Sequence, residues 1–140
     1  MANVRTWPFQ SRSDRQPVAL AGHFQLTGAA SGDLTATDQG QAFGIKSVTY
    51  LTATKTLKVE LNDNWNKVLT AFVKMGSASI AFGVGTSPVD FAFKTDVVNT
   101  VGTDPYLEWF VFNVDDGAAT ANADLGTIVW DIHLYVLMSN

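Results

Sequence analysis

The sequence predicts an all-β chain: a single antiparallel β-sandwich or jelly-roll-like domain led by an extended N-terminal arm. Three observations carry that expectation. Apolar residues alternate strictly at Leu57, Val59 and Leu61, and again from Ile128 through Trp130, Ile132, Leu134 and Val136 to Met138. Such alternation puts each set on one face of a strand. Runs rich in β-branched and aromatic residues recur between short clusters of Gly, Pro, Asn, Asp, Ser and Thr, the spacing of strands and turns. Helical periodicity is nearly absent.

The elements follow in chain order. Residues 1–22 read as the arm, because Pro8 and Pro17 remove backbone donors and restrict their neighbours. Residues 23–140 form the sandwich. His23–Thr27 is a short strand with Phe24 and Leu26 on one face. Gly28 to Gly44, rich in small and polar residues, loops around one poor strand near Leu34. Lys46–Leu51 and Leu57–Leu61, joined by Thr52-Ala53-Thr54-Lys55, make a hairpin. Asn62 to Lys67 breaks the pattern, and the best helix candidate is one or two turns from Asp63 to about Leu69 with Asn62 as N-cap. Val68 to Met75 starts a third extended run. Ile80, Phe82 and Val84 alternate with small residues ahead of a Gly85-Thr86-Ser87-Pro88 turn. Val89, Phe91 and Phe93 alternate with Asp90, Ala92 and Lys94, as in a half-buried strand. Tyr106 to Val114 is apolar on both faces, which suits a central strand covered from two sides. Asp115 to Gly126 is a polar, alanine-rich loop, and Ile128–Met138 is the longest strand. Seven or eight strands in all fit a sandwich or jelly roll.

Composition narrows the functional classes. An apolar fraction of 46% with 16% charged residues is globular, and 140 residues suit one domain with a real core. The absence of cysteine excludes disulfides, thiolate metal sites and a cysteine nucleophile. Apolar runs fall far short of the ~20 residues a membrane helix requires, and Trp7-Pro8-Phe9 gives way at once to polar residues, so no secretory signal is read.

Charge is unevenly spread. Residues 1–22 hold all three arginines, Arg5, Arg12 and Arg15, against Asp14, a balance of +2; residues 23–140 carry −6, from six lysines and twelve acids. One reading is an ordinary terminus. The other is an arm that docks on a partner, with Trp7 and Phe9 as apolar anchors between arginines. Three arginines fall short of the roughly 6–10 phosphate contacts that hold a protein on DNA, and the acidic body repels phosphate. No nucleic-acid partner is expected.

No catalytic constellation emerges, so the chain is not read as an enzyme. His133 lies on the less apolar face of the last strand beside Asp131 and Tyr135, and with His23 it completes the histidine inventory, too few for a His-based metal site. Gly83-Val84-Gly85 lacks the third glycine of a dinucleotide loop, which is Pro88, and no helix follows. Asp115-Asp116-Gly117 fails as an EF-hand, since the first and last ligand positions fall on Phe112 and Ala123; a looser calcium site with Asp124 stays open beside a plain solvated turn. Glu60 and Glu108 are available carboxylates, but nothing in the sequence pairs them. No cofactor and no metal are expected.

Lys46 to Met75, with its hairpin, its Leu-Asn-Asp-Asn-Trp-Asn-Lys break and the Val68–Val73 strand, resembles a family of small tailed-bacteriophage virion proteins. The acid- and alanine-rich loop Asp115–Gly126, the strand Ile128–Met138 and the polar Ser139-Asn140 tail continue the resemblance. The chain departs from it in its arginine-bearing lead, in a longer middle from Gly83 to Pro105, and in lacking an arginine before the final asparagine. The resemblance implies a capsid decoration or cement protein: a homotrimer on the capsid surface, made in the host cytoplasm, bound to the major capsid protein and carrying no catalytic residues. Arg5, Trp7, Phe9, Arg12 and Arg15 are then the candidate capsid-binding residues. The alternative is a head-fibre or tail-associated module that binds a receptor or carbohydrate, with Tyr106 or Trp65 as sugar platforms.

Overall fold

The last alternating run of the sequence becomes the middle of a sheet. In the computed structural model, which describes residues 17–28, 31–65, 67–78, 80, 88–98 and 102–139, strand β9 (Val129–Ser139) lies between β1 (Val18–Thr27) and β6 (Lys67–Gly76), antiparallel to both. The short strand β3 (Thr37–Asp38) pairs with β1 and completes a four-stranded sheet, in the order β3-β1-β9-β6. The second sheet has five strands, β2 (Leu34–Thr35), β4 (Ile45–Leu51), β5 (Thr56–Leu61), β8 (Tyr106–Asn113) and β7 (Val89–Val98), in the order β2-β4-β5-β8-β7. The two sheets pack as the expected sandwich.

Alternation decides what lies between them. From β9, Trp130, Ile132, Leu134, Val136 and Met138 all point inward and are at most 4% exposed. They meet Leu20, Phe24 and Leu26 of β1 and, from the other sheet, Val48, Tyr50, Leu57, Val59, Leu61, Leu107, Trp109 and Val111. Burying each of the larger aliphatic side chains is worth roughly 1.5–3 kcal/mol. The β4–β5 hairpin turns on Thr52–Lys55, with Lys55 in the left-handed region (φ 56°) and its amide donating to Leu51 O at 2.9 Å.

Four expectations are corrected. The sandwich begins before residue 23: Val18 to Gly22 pair with Met138 to Leu134, and Leu20 is buried, because Val18 and Leu20 extend the alternation of Phe24 and Leu26. The break at Asn62 is not a helix. Asn62–Asn64 is an exposed turn and β6 starts at Lys67, since pairing with β9 outweighs the N-cap signal. The one short helix among the described residues is α1 (Asn122–Leu125), inside the expected loop. Finally, β8 is not covered along the whole of its second face, where Glu108 is buried beside Lys94 but Phe110 is open. Leu107, Trp109 and Val111 are buried, while Phe110 on the other face remains 45% exposed. Phe82 and Val84, with most of the Gly85–Pro88 turn, lie outside the described residues.

Candidate functional site

The residues singled out for partner binding, Arg5, Trp7, Phe9, Arg12 and Arg15, lie outside the described residues. What is described is the point from which they lead: exposed Pro17, just before Val18 pairs with Met138 at one end of the first sheet. Beside it, Val18, Leu20, Ala42, Phe43, Gly44, Asn62, Asp63 and Trp65 line an open cleft of about 430 Å³.

The outer face of the first sheet brings aromatic, imidazole, ammonium and carboxylate groups together. Register lines up its outward residues in three rungs across β6, β9 and β1. Phe72, Tyr135 and Ala21 form the first, Lys74, His133 and His23 the second, and Gly76, Asp131 and Gln25 the third. In an antiparallel sheet successive rungs on one face lie about 7 Å apart. Phe72 is 59% and Tyr135 46% exposed, and the small Ala21 adjoins Tyr135 on the same rung.

Polar contacts fix the second and third rungs together. The His23 and His133 rings stack with centroids 4.3 Å apart and planes 10° from parallel. His23 Nε2 donates to Asp131 Oδ1 at 2.8 Å, and Gln25 Nε2 donates to the same oxygen at 3.0 Å. An ionised carboxylate only accepts, so His23 carries its proton on Nε2 in this arrangement. These bonds, His23 first and Gln25 second, hold the Asp131 carboxyl below the usual carboxylate range, with the His23 and His133 charges adding to the effect. Beside this network, Lys74, Met75, Gly76, Ser77, Ala78, Asp131 and His133 line an open cleft of about 310 Å³.

The second sheet's outer face is built differently, because three of its described lysines are paired with acids of this chain. Lys58 Nζ donates to Glu60 Oε1 at 2.9 Å while Ser47 Oγ donates to Glu60 Oε2 at 2.7 Å, and together they depress the Glu60 carboxyl. Lys94 pairs with buried Glu108. Lys46 pairs with Asp104, which raises the ammonium above its ordinary value. Lys58 also sits 4.7 Å above the Tyr106 ring, and Trp65 packs against the core. Tyr106 is thus capped by a lysine, whereas Trp65 borders the open cleft beside Pro17.

The Asp115–Gly126 loop uses its acids locally. Asp116 Oδ1 accepts from the Ala118 amide at 2.9 Å, and Asp124 Oδ2 accepts from the Ala121 amide at 2.8 Å and from Asn113 Nδ2 at 3.1 Å. Among the described residues no group of three or more His, Asp or Glu side chains is placed to hold a metal ion. None of the described helices is long and apolar enough to cross a membrane.

Sequence reasoning found His133, Asp131 and Tyr135 on one face but missed their partners His23, Gln25, Lys74 and Phe72, which register alone brings to them. Comparison of this chain with protein-family models, with curated proteins and with solved structures gives no match.

Proposed function

We propose that this chain is a structural protein of a tailed-bacteriophage virion, a decoration or cement protein that binds the major capsid protein and stabilises the capsid lattice. The observation that carries the reading is the contact between the two segments that resemble such proteins. Residues 45–75 supply β4, β5 and most of β6, residues 115–140 supply α1 and β9, and β6 pairs with β9 from Lys67–Ser139 to Gly76–Asp131. The two segments thus meet in the first sheet through β6 and β9, while β4 and β5 lie in the facing sheet. The basic lead, +2 over residues 1–22 against −6 in the remainder, suits an arm that pairs with acidic groups on a neighbouring subunit.

A homotrimer accompanies this reading. Phe110 is 45% exposed on the outer face of the second sheet, whereas Phe93, 47% exposed, lies on the opposite face at the β7 edge beside Trp109. Phe110 is apolar area that a neighbouring copy would cover. Two measurements test the proposal. The purified chain co-sediments with shells of its parent particle, and light scattering returns a trimer of the 15.1 kDa chain. Failure to bind shells, with binding to host cells or glycans by the free protein, would replace it with the receptor-module reading.

A further inference from the structure

We propose that the outer face of the first sheet is a binding site for a neutral oligosaccharide. Tyr135 and Phe72 form the platform on which the apolar face of a pyranose ring packs. Asp131, His133 and Lys74, one and two rungs along, take its hydroxyls. The proposal does not rest on the virion reading above.

The two outer faces differ in how their polar groups are satisfied. On the second sheet Lys58 with Glu60, Lys94 with Glu108 and Lys46 with Asp104 satisfy one another. On the first sheet, Asp131 Oδ2, the His133 ring nitrogens, Lys74 Nζ and the Tyr135 hydroxyl make no hydrogen bond or ion pair with any other described residue. Donors and acceptors are therefore both presented, which is what a hydroxyl needs, since each hydroxyl gives one hydrogen bond and accepts others.

Part of the face is also preorganised. Asp131 is held by His23 at 2.8 Å and Gln25 at 3.0 Å through one oxygen, so the carboxylate is oriented before a ligand arrives, while His23 stacks on His133. A site fixed in this way loses less freedom on binding. The adjoining cleft of about 310 Å³ is at the lower end of the sizes of small-ligand sites, roughly 300–1,000 Å³.

The polar centre of this face selects the occupant. A protein partner buries an apolar centre with a polar rim. Here Lys74, Asp131 and two imidazoles occupy the middle, and sealing them under a dry interface would strip their water without supplying partners. A saccharide brings hydroxyls to each of them. Net charge of −4 and the Asp131 carboxylate disfavour acidic sugars, which leaves neutral ones.

The test is an NMR titration of the full-length ¹⁵N-labelled chain with cellohexaose, laminarihexaose, maltohexaose and mannohexaose. At least one should shift amides of β1, β9 and β6 around His23, Asp131, His133 and Tyr135, saturably at roughly millimolar concentration or below. Tyr135→Ala and Lys74→Gln, both at outward-facing positions that leave the core intact, should weaken that binding about tenfold or more, whereas Phe110→Ala on the other sheet should not. Absence of shifts with all four sugars, shifts confined to another surface, or unchanged affinity of Tyr135→Ala would overturn the proposal. So would movement of the same resonances on dilution without sugar, which would give the face to a second copy of the chain. Shell co-sedimentation of Tyr135→Ala keeps this test separate from the virion reading, because the variant should still bind shells.

Discussion

Two buried side chains show how much a single residue carries in this fold. Trp130 is fully buried on β9, and its Nε1 donates to Leu125 O at 2.9 Å, so it packs the core and also ties α1 to the strand that follows. Trp130→Ala should cost about 3–5 kcal/mol in urea unfolding, the range for large aromatic truncations. Trp130→Phe should recover part of that loss, though not the bond to Leu125. Tyr50 is 1% exposed and donates its hydroxyl to Thr120 O. Burial, and secondarily the Asp124 charge, push the phenol up from 10.0 to about 12. The folded state thus holds this proton more tightly than the unfolded chain does. The associated stability is fully present below the unfolded value and is lost as pH rises through the folded one. About 2–3 kcal/mol should disappear between pH 10 and 12. Tyr50→Phe should flatten that alkaline limb in pH-dependent urea titrations, and cost only about 1 kcal/mol at neutral pH.

Elements were legible in the sequence to the extent that they repeat. Leu57–Leu61 and Ile128–Met138 carry enough alternating positions for their inward faces to be read directly, and the Thr52–Lys55 turn between β4 and β5 lay where its polar run put it. Helix α1 was not legible, because four residues carry no period and its N-cap is Ala121, which has no side-chain oxygen; the clue was Asp124 reaching back to the Ala121 amide. Nor was the rung structure of the first sheet, since His23 and His133 meet only once β1 is registered against β9. A further long-range contact invisible to pattern reading joins the end of β1 to the end of α1. A Cβ built on Gly28 would lie 1.8 Å from Gly126 O and 2.9 Å from Gly126 C, and backbone there can move only by opening the junction. Gly28→Ala should therefore destabilise by about 1–3 kcal/mol, the usual cost of overpacking, or more. Gly76→Ala, where nothing lies within 4 Å, should be close to neutral in the same thermal melts.

At the scale of the whole molecule, the arginines and the core are segregated. Every arginine precedes the sandwich, and the described domain, which begins with β1 at Val18, balances its acids with lysine alone. Sequence reading found this division but set it at residue 22; alternation through Val18 and Leu20 moves it to Pro17. Because Pro17 is exposed and β1 begins at Val18, a cut before Pro17 leaves every described strand whole. Deletion of residues 1–16 should leave the far-UV circular dichroism, the melting temperature and the oligomeric state close to those of the full chain. If the arm is the attachment device, the truncated protein should saturate shells only at much higher concentration. Each arm would contribute a few charge-assisted contacts, and three arms on a trimer would act together through effective concentration. Salt separates this from a purely apolar arm. Raising ionic strength should weaken the full-length chain more than a variant with Arg5, Arg12 and Arg15 all changed to Gln, since screening acts on the charged contacts and leaves the Trp7 and Phe9 contribution in place. Saturation of shells by the truncated chain at the full-length concentration would move attachment onto the sandwich itself. The outer face of the second sheet around exposed Phe110 would then be the surface to mutate next.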